Sequence, residues 1–367
     1  MTQRWVSVIV PCRNEREHIE GFVAGVHRQV VPSGWALQLL IADGMSDDGT
    51  RELLLPLCAA SVMHAGDGGS AQIERVETVE LIQLIELIDN PRRIVSSALN
   101  CALAQARGEV IVRMDVHTDY ANDYIAQCLA ALAETGADNV GGPWHAEPAA
   151  GAGAVQRAIA AAFQSRWVAG GAASRRLHFS GWVDTVYLGC WQRATFERFG
   201  RFDEALVRNQ DDEHNLRLVR GGGRVWQSAR IRSTYRPRAT LGQAARQYLQ
   251  YGYWKPFVMK KHGQAASLRH VLPGLLVALL LVLGLAAALG APAWPLAGLV
   301  SLYALGVAAL TVMVAVANER FAGWAALLFV PLVIGAHHLG YGMGTLLGTF
   351  DVLRGVRGRE RFASLTR

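Results

Sequence analysis

The sequence predicts an α/β domain built on a mostly parallel, Rossmann-like sheet, followed by membrane helices. In residues 6–114, short apolar runs alternate with stretches of helical periodicity, the pattern of a sheet that helices cover on both faces. Residues 271–318 and 321–350 contain no Asp, Glu, Lys or Arg. A bilayer demands such segments, because ionised groups in hydrocarbon are costly. The C-terminal third is therefore predicted to belong to the membrane.

Each element of the globular part has its own signal. Four short apolar runs bounded by polar or turn residues are predicted strands: residues 6–10, 37–42, 84–88 and 110–114. Three stretches in which apolar residues recur at helical spacing are predicted helices: residues 15–30, 48–57 and 95–106. Residues 62–79 fit neither pattern and are predicted to form a loop.

Composition divides the chain into four predicted parts. They are a globular domain at 1–235, an amphipathic interfacial segment at 236–270, a membrane region of two or three apolar segments at 271–350, and a basic tail at 351–367. Tyr and Trp beside Lys and Arg in residues 246–257 are typical of a helix at headgroup depth, which could serve as an anchoring belt alone or also take part in catalysis. Three spans would place the basic tail outside, against the positive-inside tendency. Either the third segment is re-entrant, or the basic tail is an exception to the positive-inside tendency.

Charge and cysteine usage exclude several classes of protein. The formal net charge is +6, but the basic residues cluster beside the apolar segments, which indicates a lipid surface as partner and not nucleic acid. The five cysteines are scattered, without a Cys-x-x-Cys pair, which argues against a disulfide framework and a zinc site. The chain opens directly into a predicted strand. We therefore expect a multi-pass plasma-membrane protein with a cytoplasmic globular domain.

Polar clusters follow three of the predicted strands, at residues 11–15, 43–50 and 115–117. Ligands of such sheets bind beyond the carboxyl ends of the strands, so we expect these clusters to converge on one crevice. Asp43 and Asp115 directly follow buried strands, where a carboxylate needs a partner, and we interpret both as functional. Residues 46–50 are better explained as a turn and a helix cap.

Two further features could carry chemistry. Side chains at i and i+2 of an extended segment face the same way, so Asp115 and His117 could both address one divalent cation, with imidazole shifting the preference from Mg²⁺ towards Mn²⁺. The acidic run at 211–213 opens a predicted helix. It complements the helix dipole, and a positioned Asp is also suited to act as a general base. We assign that role to Asp211.

Together these motifs resemble family 2 glycosyltransferases over residues 6–255. The family motifs occur at 11–15 (Pro-x-x-Asn-Glu), 43–50 (Asp-Gly-x-Ser-x-Asp-Gly-Thr), 115–117 (Asp-x-Asp, here ending in His), 202–204 (Phe-Asp-Glu), 210–211 (an acidic pair, here Gln-Asp) and 247–251 (an altered Gln-x-x-Arg-Trp block). Residues 184–187, 209–213 and 235–238, with the apolar tail, are similar to succinoglycan-type exopolysaccharide glucosyltransferases.

The resemblance implies a GT-A fold, which is an α/β Rossmann-like mixed sheet, and a metal-dependent, inverting hexosyltransferase. Such an enzyme moves a sugar from a UDP-sugar to a polyprenyl-diphosphate-linked saccharide, and the altered 247–251 block favours a single addition. The implied residues are Pro11, Arg13, Asn14, Glu15, Asp43 and Asp115 for the nucleotide-sugar; Asp115 and His117 for Mn²⁺ or Mg²⁺; Asp211 as base; and Asp184, Asp212, Arg236, Arg238, Gln247 and Tyr251 on the acceptor or diphosphate side. The altered motifs leave open an inactive membrane scaffold that binds nucleotide-sugars.

Overall fold

The structure, a computed structural model, describes residues 3–66, 82–263, 268–317, 323–358 and 361–362. The chain forms two compact units. The first comprises Met1–Trp144, Leu177–Glu204 and Gln210–Tyr235, and the second comprises His145–Arg176, Ala205–Asn209 and Arg236–Arg367. Two segments that we placed in the globular domain, His145–Arg176 and Ala205–Asn209, thus cluster with the C-terminal helices.

The first unit is built on a mixed sheet. The described strands are β1 (Arg4–Cys12), β2 (Trp35–Asp43), β3 (Ile82–Asp89), β4 (Val110–Arg113), β5 (Thr118–Tyr120), β6 (Asn139–Gly142), β7 (His145–Ala146), β8 (Gly181–Val183), β9 (Tyr187–Gln192), β10 (Val225–Gln227) and β11 (Ser233–Tyr235). Eight of them form a sheet of order β3-β2-β1-β4-β9-β6-β10-β8. The first four are parallel, whereas β9 runs antiparallel to β4 and β6. The predicted α/β class is confirmed.

Helices of the first unit cover both faces of this sheet. The described helices are α1 (Ile19–His27), α2 (Thr50–Gly66), α3 (Val95–Gln105), α4 (Tyr124–Thr135), α5 (Ala154–Gln164), α6 (Arg193–Phe199), α7 (Gln210–Arg220), α8 (Leu241–His262), α9 (Leu272–Ala288), α10 (Trp294–Ala317), α11 (Gly323–Leu327) and α12 (Val330–Leu353). Of these, α5 and α8 to α12 belong to the second unit. Val8 and Val10 of β1 pack in one core with α1 and α4, and Ile9 packs with α3 in the other. Central strands buried on both sides are therefore almost wholly apolar.

Two predicted boundaries differ from the structure. The helix predicted at 15–30 begins at Ile19, because residues 15–18 form a turn in which the Glu15 carbonyl accepts the N–H of His18 at 2.9 Å. The predicted loop at 62–79 is wrong for residues 62–66, since α2 continues to Gly66. The rest of that loop lies outside the described residues.

The second unit is dominated by α8 lying against α12. A capping box between Thr240 and Gln243 starts α8, which satisfies N–H groups that otherwise lack partners. Tyr253 and Trp254, which we expected at headgroup depth, are buried within the protein, at 0% and 1% exposure. The glycine-rich face of α12 packs against α8 at this point, and the headgroup depth of this segment stays a prediction.

The predicted apolar C-terminal helices are confirmed. By length and composition, two described segments are capable of crossing a membrane: α10 and the continuous segment Gly323–Leu353, which contains α11 and α12. The helix α9 is apolar but only 17 residues long.

Candidate active site

Hydrogen bonds join the loops that follow β1 and β2. The Asn14 side chain donates to Asp47 Oδ1 at 2.9 Å and accepts the Asp47 N–H at 3.1 Å. The Asn14 N–H donates to Ser46 Oγ at 2.7 Å, and the Glu15 N–H donates to Thr50 Oγ1 at 2.8 Å. Residues 46–50 thus do more than turn the chain, because they position the neighbouring loop.

Both loops contain a non-glycine residue in the left-handed backbone region. Asn14 has φ of 53° and Met45 has φ of 56°. Such conformations cost roughly 1–3 kcal/mol each and persist where the surroundings hold them. The hydrogen bonds between the two loops provide that restraint for Asn14.

The cap interpretation of residues 46–50 agrees with the contacts of Asp48. Its Oδ1 accepts the N–H of Thr50 at 3.0 Å and the Thr50 hydroxyl at 2.6 Å, where α2 begins. Burial opposes the charge, but hydrogen bonds from Thr50 and Arg16 hold the pKa of Asp48 below its ordinary value. Asp48 therefore stabilises the start of α2.

Asp43, at the end of β2, is a fully buried carboxylate with internal partners. It accepts the Ser46 N–H at 3.0 Å and Arg51 Nη1 at 2.7 Å, and it also binds the Ser46 hydroxyl. Arg51 pairs at the same time with Asp89, at the end of β3, at 2.7 Å. The hydrogen bonds that Arg51 donates to Asp43 and Asp89 raise the pKa of Arg51. The partner that the sequence required for Asp43 is thus Arg51, which we did not single out.

Pro11 and Arg13 lie beside the end of β2, next to Ala42 and Gly44. Pro11 lies within β1, in register with Ala42 of β2. The aliphatic stem of Arg13 packs on Gly44, where an added Cβ atom would lie 3.1 Å from Arg13 Cδ. The stem of Arg13 therefore lies directly against the first residue after β2.

A buried arginine connects two of the predicted carboxylates. Arg113, the last residue of β4, binds Asp115 through Nε at 3.0 Å and Nη2 at 3.1 Å. Its remaining nitrogen, Nη1, lies 3.9 Å from Asp211 Oδ2 and makes no hydrogen bond within the described residues. Burial opposes its charge, but Asp115 and Asp211 raise the pKa of Arg113. Our sequence analysis missed this residue, although a cation ending a buried Val-Ile-Val strand was the available signal.

Asp211 lies in the first turn of α7, and its side chain is 31% exposed. Its Oδ1 accepts the N–H of Asp212 at 3.0 Å. Burial and the neighbouring Asp212 carboxylate raise the pKa of Asp211 above its ordinary value, and Arg113 acts in the opposite direction. A carboxylate with a raised pKa that remains accessible is a better proton acceptor than an ordinary one.

The segment with Asp115 and His117 is not extended, so that part of our prediction was wrong. The Asp115 carbonyl accepts the N–H of Thr118 at 3.2 Å, and residues 116–117 form a turn where the chain reverses into β5. The His117 side chain is 46% exposed, and its Nδ1 lies 3.7 Å from Glu15 Oε1. Glu15 therefore connects the loop after β1 with the turn that carries His117.

The donor set of Asp115 and His117 is incomplete for a fully protein-bound metal. No cluster of three or more His, Cys, Asp or Glu side chains suited to a metal occurs in the described ranges. Mg²⁺ and similar ions, however, are commonly held by one or two protein ligands together with substrate phosphates. Each oxygen of Asp115 retains a second lone pair beside Arg113. Asp115 and His117 would therefore supply at most two of the ligands of such an ion.

Two polar side chains that were not predicted from the sequence support this site. The Tyr120 hydroxyl accepts the N–H of Asp115 at 2.6 Å, which fixes the backbone after β4. The Asn100 amide donates to the Phe202 carbonyl and to Glu204, both at 2.9 Å. Asn100 thereby anchors the Phe-Asp-Glu motif to α3.

The contacts of the first unit bring most predicted residues together. The loop after β1 bonds to the loop after β2 and approaches His117, while Arg113 connects Asp115 with Asp211. Asp184 lies in an exposed bend between β8 and β9. The next residue, Thr185, accepts a hydrogen bond from Asn215 of α7 at 3.0 Å.

Four predicted residues belong to the second unit. Gln247 and Tyr251 lie one turn apart on α8, and Gln247 donates to the Tyr251 hydroxyl at 3.2 Å. Asn209 donates to the Tyr251 carbonyl at 3.0 Å. Arg236 is exposed and Arg238 half-buried, in the segment before α8.

Comparison with known proteins identifies relatives over most of the chain. Residues 7–168 match the family model for glycosyl transferase family 2. The chain is 30% identical over 268 residues to the succinoglycan biosynthesis protein ExoA of Rhizobium meliloti (strain 1021), covering 72% of this chain and 73% of that protein.

Two solved structures match most of this chain. The mannosyltransferase PcManGT of Pyrobaculum calidifontis, in complex with GDP-Man and Mn²⁺, matches with a TM-score of 0.51 and 19% identity over 91% of this chain and 86% of that one. S. aureus TarS 1–349 in complex with UDP matches with a TM-score of 0.45 and 13% identity over 95% and 91%. The likeness to PcManGT concerns the fold alone, and it confirms the predicted GT-A class.

Proposed function

Because the chain belongs to glycosyl transferase family 2, we propose that it transfers a hexose from a UDP-sugar, with inversion, to a polyprenyl-diphosphate-linked saccharide. The product would enter exopolysaccharide or another cell-surface glycan. The named role of the relative ExoA in succinoglycan biosynthesis supports this assignment. So do the apolar C-terminal helices, which suit an enzyme whose acceptor resides in a membrane.

The observation that carries the proposal is the environment of Asp211. Its carboxylate is partly exposed, has a raised pKa, and faces a buried guanidinium. In the proposed reaction Asp211 takes the proton of the acceptor hydroxyl as that oxygen attacks the anomeric carbon. The bond from the anomeric carbon to the diphosphate oxygen breaks on the opposite face, and the electron pair leaves with UDP. Positioned general bases contribute roughly 10²–10⁴-fold to such steps.

The donor nucleotide is assigned to the linked loops after β1 and β2. Pro11, Arg13, Asn14 and Glu15 would contact the nucleotide-sugar, and the hydrogen bonds between the loops would fix their positions. Asp43 has its oxygens engaged inside the protein, so we propose that it shapes this binding loop.

A divalent metal, Mn²⁺ or Mg²⁺, is assigned to Asp115 and His117. When bound, such an ion neutralises the charge that develops on the departing diphosphate. Arg113 holds the Asp115 carboxylate in a fixed orientation through two hydrogen bonds. The presence of Mn²⁺ in the PcManGT complex supports a metal in this fold.

The acceptor or diphosphate side is assigned to Asp184, Asp212, Arg236, Arg238, Gln247 and Tyr251. Guanidinium groups recognise phosphate oxygens through paired hydrogen bonds, which suits Arg236 and Arg238 to a diphosphate-linked lipid. We place the enzyme in the plasma membrane as a multi-pass protein, with its catalytic unit in the cytoplasm.

A direct assay tests the proposal. The purified full-length chain, supplied with UDP-hexoses, Mn²⁺ and a polyprenyl-diphosphate saccharide, should release UDP and form a product of inverted anomeric configuration by NMR. Asp211→Asn should lower turnover by about 10²–10⁴-fold and leave UDP-sugar binding nearly unchanged. Wild-type turnover in Asp211→Asn would remove the base assignment.

Gln210 favours a second candidate, a scaffold that binds nucleotide-sugars without turnover. This glutamine replaces the first acid of the motif, and its Oε1 makes no hydrogen bond within the described residues. The scaffold predicts UDP-sugar binding without UDP release in the same assay.

A further inference from the structure

The helices α8 and α12 run side by side in the same direction. Three glycines of α12, spaced four residues apart, contact successive turns of α8. A Cβ atom would lie 2.8 Å from the Ala245 carbonyl oxygen at Gly340, 2.0 Å from that of Leu249 at Gly344, and 2.1 Å from that of Tyr253 at Gly348. Residue numbers rise together along both helices, so the helices are parallel. Each turn of α12 from Gly340 to Gly348 therefore lies beside one turn of α8 from Ala245 to Tyr253.

The helix α8 is too polar to lie across hydrocarbon. It carries Arg246 and Lys255 in its interior and ends in Lys260 and Lys261. Charged side chains at the centre of a bilayer are costly. If α12 crossed the membrane, the parallel α8 would have to cross beside it and carry these cations through.

The two faces of α12 also differ in what they contact, as expected for a helix at a membrane surface. Its exposed large apolar residues form one stripe at spacings of seven, four, seven and three residues: Leu332, Leu339, Met343, Phe350 and Leu353. Most of its buried residues, including Ile334, Gly344 and Gly348, lie on the opposite face, whereas the buried Gly342 packs against the start of α9. A single apolar stripe opposite a protein-packed face is typical of a helix in the membrane surface.

The far end of α12 is tied to α8 by charged and aromatic contacts. Asp351 is buried and accepts hydrogen bonds from Arg361, at 2.7 and 3.1 Å, and from the Tyr253 hydroxyl at 2.7 Å. The ring of Phe362 packs on Tyr253 with centroids 4.7 Å apart. The basic tail thus returns to α8 at the level where α12 ends.

The helices α9 and α10 behave differently. Only 11% of the apolar window of α10 is buried, and Leu289 and Trp294, beside the turn that joins the two helices, are 79% and 75% exposed. The opposite ends are packed: a Cβ atom at Gly342 of α12 would lie 2.2 Å from the Pro273 carbonyl oxygen, and Val314 belongs to a core with the start of α12. Both ends of the pair therefore lie on α12, and the connecting turn at residues 289–294 is exposed.

We propose that α9 and α10 form a helical hairpin inserted in the hydrocarbon of a lipid bilayer, and that α12 lies on the surface from which this hairpin enters. A helix of 24 residues, such as α10, spans about 36 Å at about 1.5 Å per residue, which exceeds a hydrocarbon core of about 30 Å. The 17 residues of α9 span about 26 Å, which a slightly thinned bilayer accommodates. The turn at residues 289–294 emerges on the far side, and α8, α12 and the basic tail remain together on the near side. This arrangement removes the conflict between three apolar segments and the basic tail.

Cysteine labelling of the full chain in intact cells tests the arrangement. Ala291→Cys places a thiol in the hairpin turn, and Arg357→Cys places one in the exposed part of the tail. The parent chain with its five cysteines gives the baseline for a membrane-impermeant maleimide that adds a resolvable mass, applied before and after permeabilisation. We expect the Ala291→Cys thiol to be labelled in intact cells and the Arg357→Cys thiol only after permeabilisation.

Labelling of both thiols in intact cells would show that α12 crosses the membrane, and protection of both would show that the hairpin turn does not reach the far side. Either result overturns the proposal. The readout is chemical accessibility and does not depend on turnover, so its failure is distinguishable from failure of the proposed transferase function.

Discussion

Arg113 binds both carboxylate oxygens of Asp115, with Nε 3.0 Å from Oδ1 and Nη2 3.1 Å from Oδ2. The guanidinium is buried at the end of β4, and its third nitrogen faces Asp211 at 3.9 Å. One internal cation therefore lies between the proposed metal ligand and the proposed base. The positive charge of Arg113 therefore acts on both Asp115 and Asp211.

Replacement of Arg113 should affect both carboxylates. A lysine keeps the charge but cannot donate to two oxygens from a planar fork, so Arg113→Lys should lose one charge-assisted hydrogen bond, worth about 1.5–3 kcal/mol. We expect kcat/KM to fall about 10- to 100-fold, with little change in its pH dependence. Arg113→Met removes the charge that lowers the pKa of Asp211. The acidic limb of the kcat/KM profile of this variant should therefore move to higher pH. Identical pH profiles for Arg113→Met and wild type would contradict this role.

The pH profile should also respond to Asp212. Its negative charge raises the pKa of Asp211, and a base must be deprotonated to act. Asp212→Asn should therefore lower the pKa of Asp211 and move the acidic limb of kcat/KM to lower pH. Glu20→Gln, in the exposed part of α1, removes a charge of the same sign and serves as the control. An acidic limb that stays in place in Asp212→Asn would count against Asp211 as the titrating base.

Loss of the His117 imidazole should weaken metal-dependent nucleotide binding. Asp115 alone would remain as a protein ligand, and removal of metal-site partners commonly costs 10–100-fold in affinity. We expect His117→Ala to weaken UDP binding about 10-fold or more in Mn²⁺ and to change it little in EDTA, measured by calorimetry. His27→Ala, at the exposed end of α1, provides the control. An unchanged Mn²⁺ titration would exclude His117 as a ligand.

The contact between α8 and α12 predicts that alanine substitutions at two glycines of α12 will have very different effects on Tm. A Cβ atom at Gly344 would lie 2.0 Å from the Leu249 carbonyl oxygen, whereas one at Gly335 meets nothing within 4 Å. Gly344→Ala should force the helices apart at a cost of about 1–3 kcal/mol and lower Tm in detergent. Gly335→Ala should leave Tm unchanged or raise it, since Ala favours helix by up to about 1 kcal/mol. Equal Tm values for the two variants would contradict this packing.

The sequence by itself determined the features that depend on local pattern. Alternating apolar runs and helical periodicity predicted the strands that form the centre of the sheet, because each strand is read from a few consecutive residues. The position of Asp43 and Asp115 directly after buried strands placed them at the carboxyl edge. Charge-free segments identified the apolar C-terminal helices. Family motifs predicted functional roles for Asn14, Glu15 and Asp211, and these roles stay predictions.

The tertiary structure alone decided which distant residues meet. The contact of Arg113 with Asp211 and the bonds between Asn14 and Asp47 join segments far apart in sequence, and no local periodicity encodes such pairs. The turn at 116–117 depends on β5 returning beside β11. The burial of Tyr253 and Trp254 depends on a close approach by the glycines of α12. Composition records how apolar a segment is, but only packing determines whether its apolar surface contacts protein or lipid.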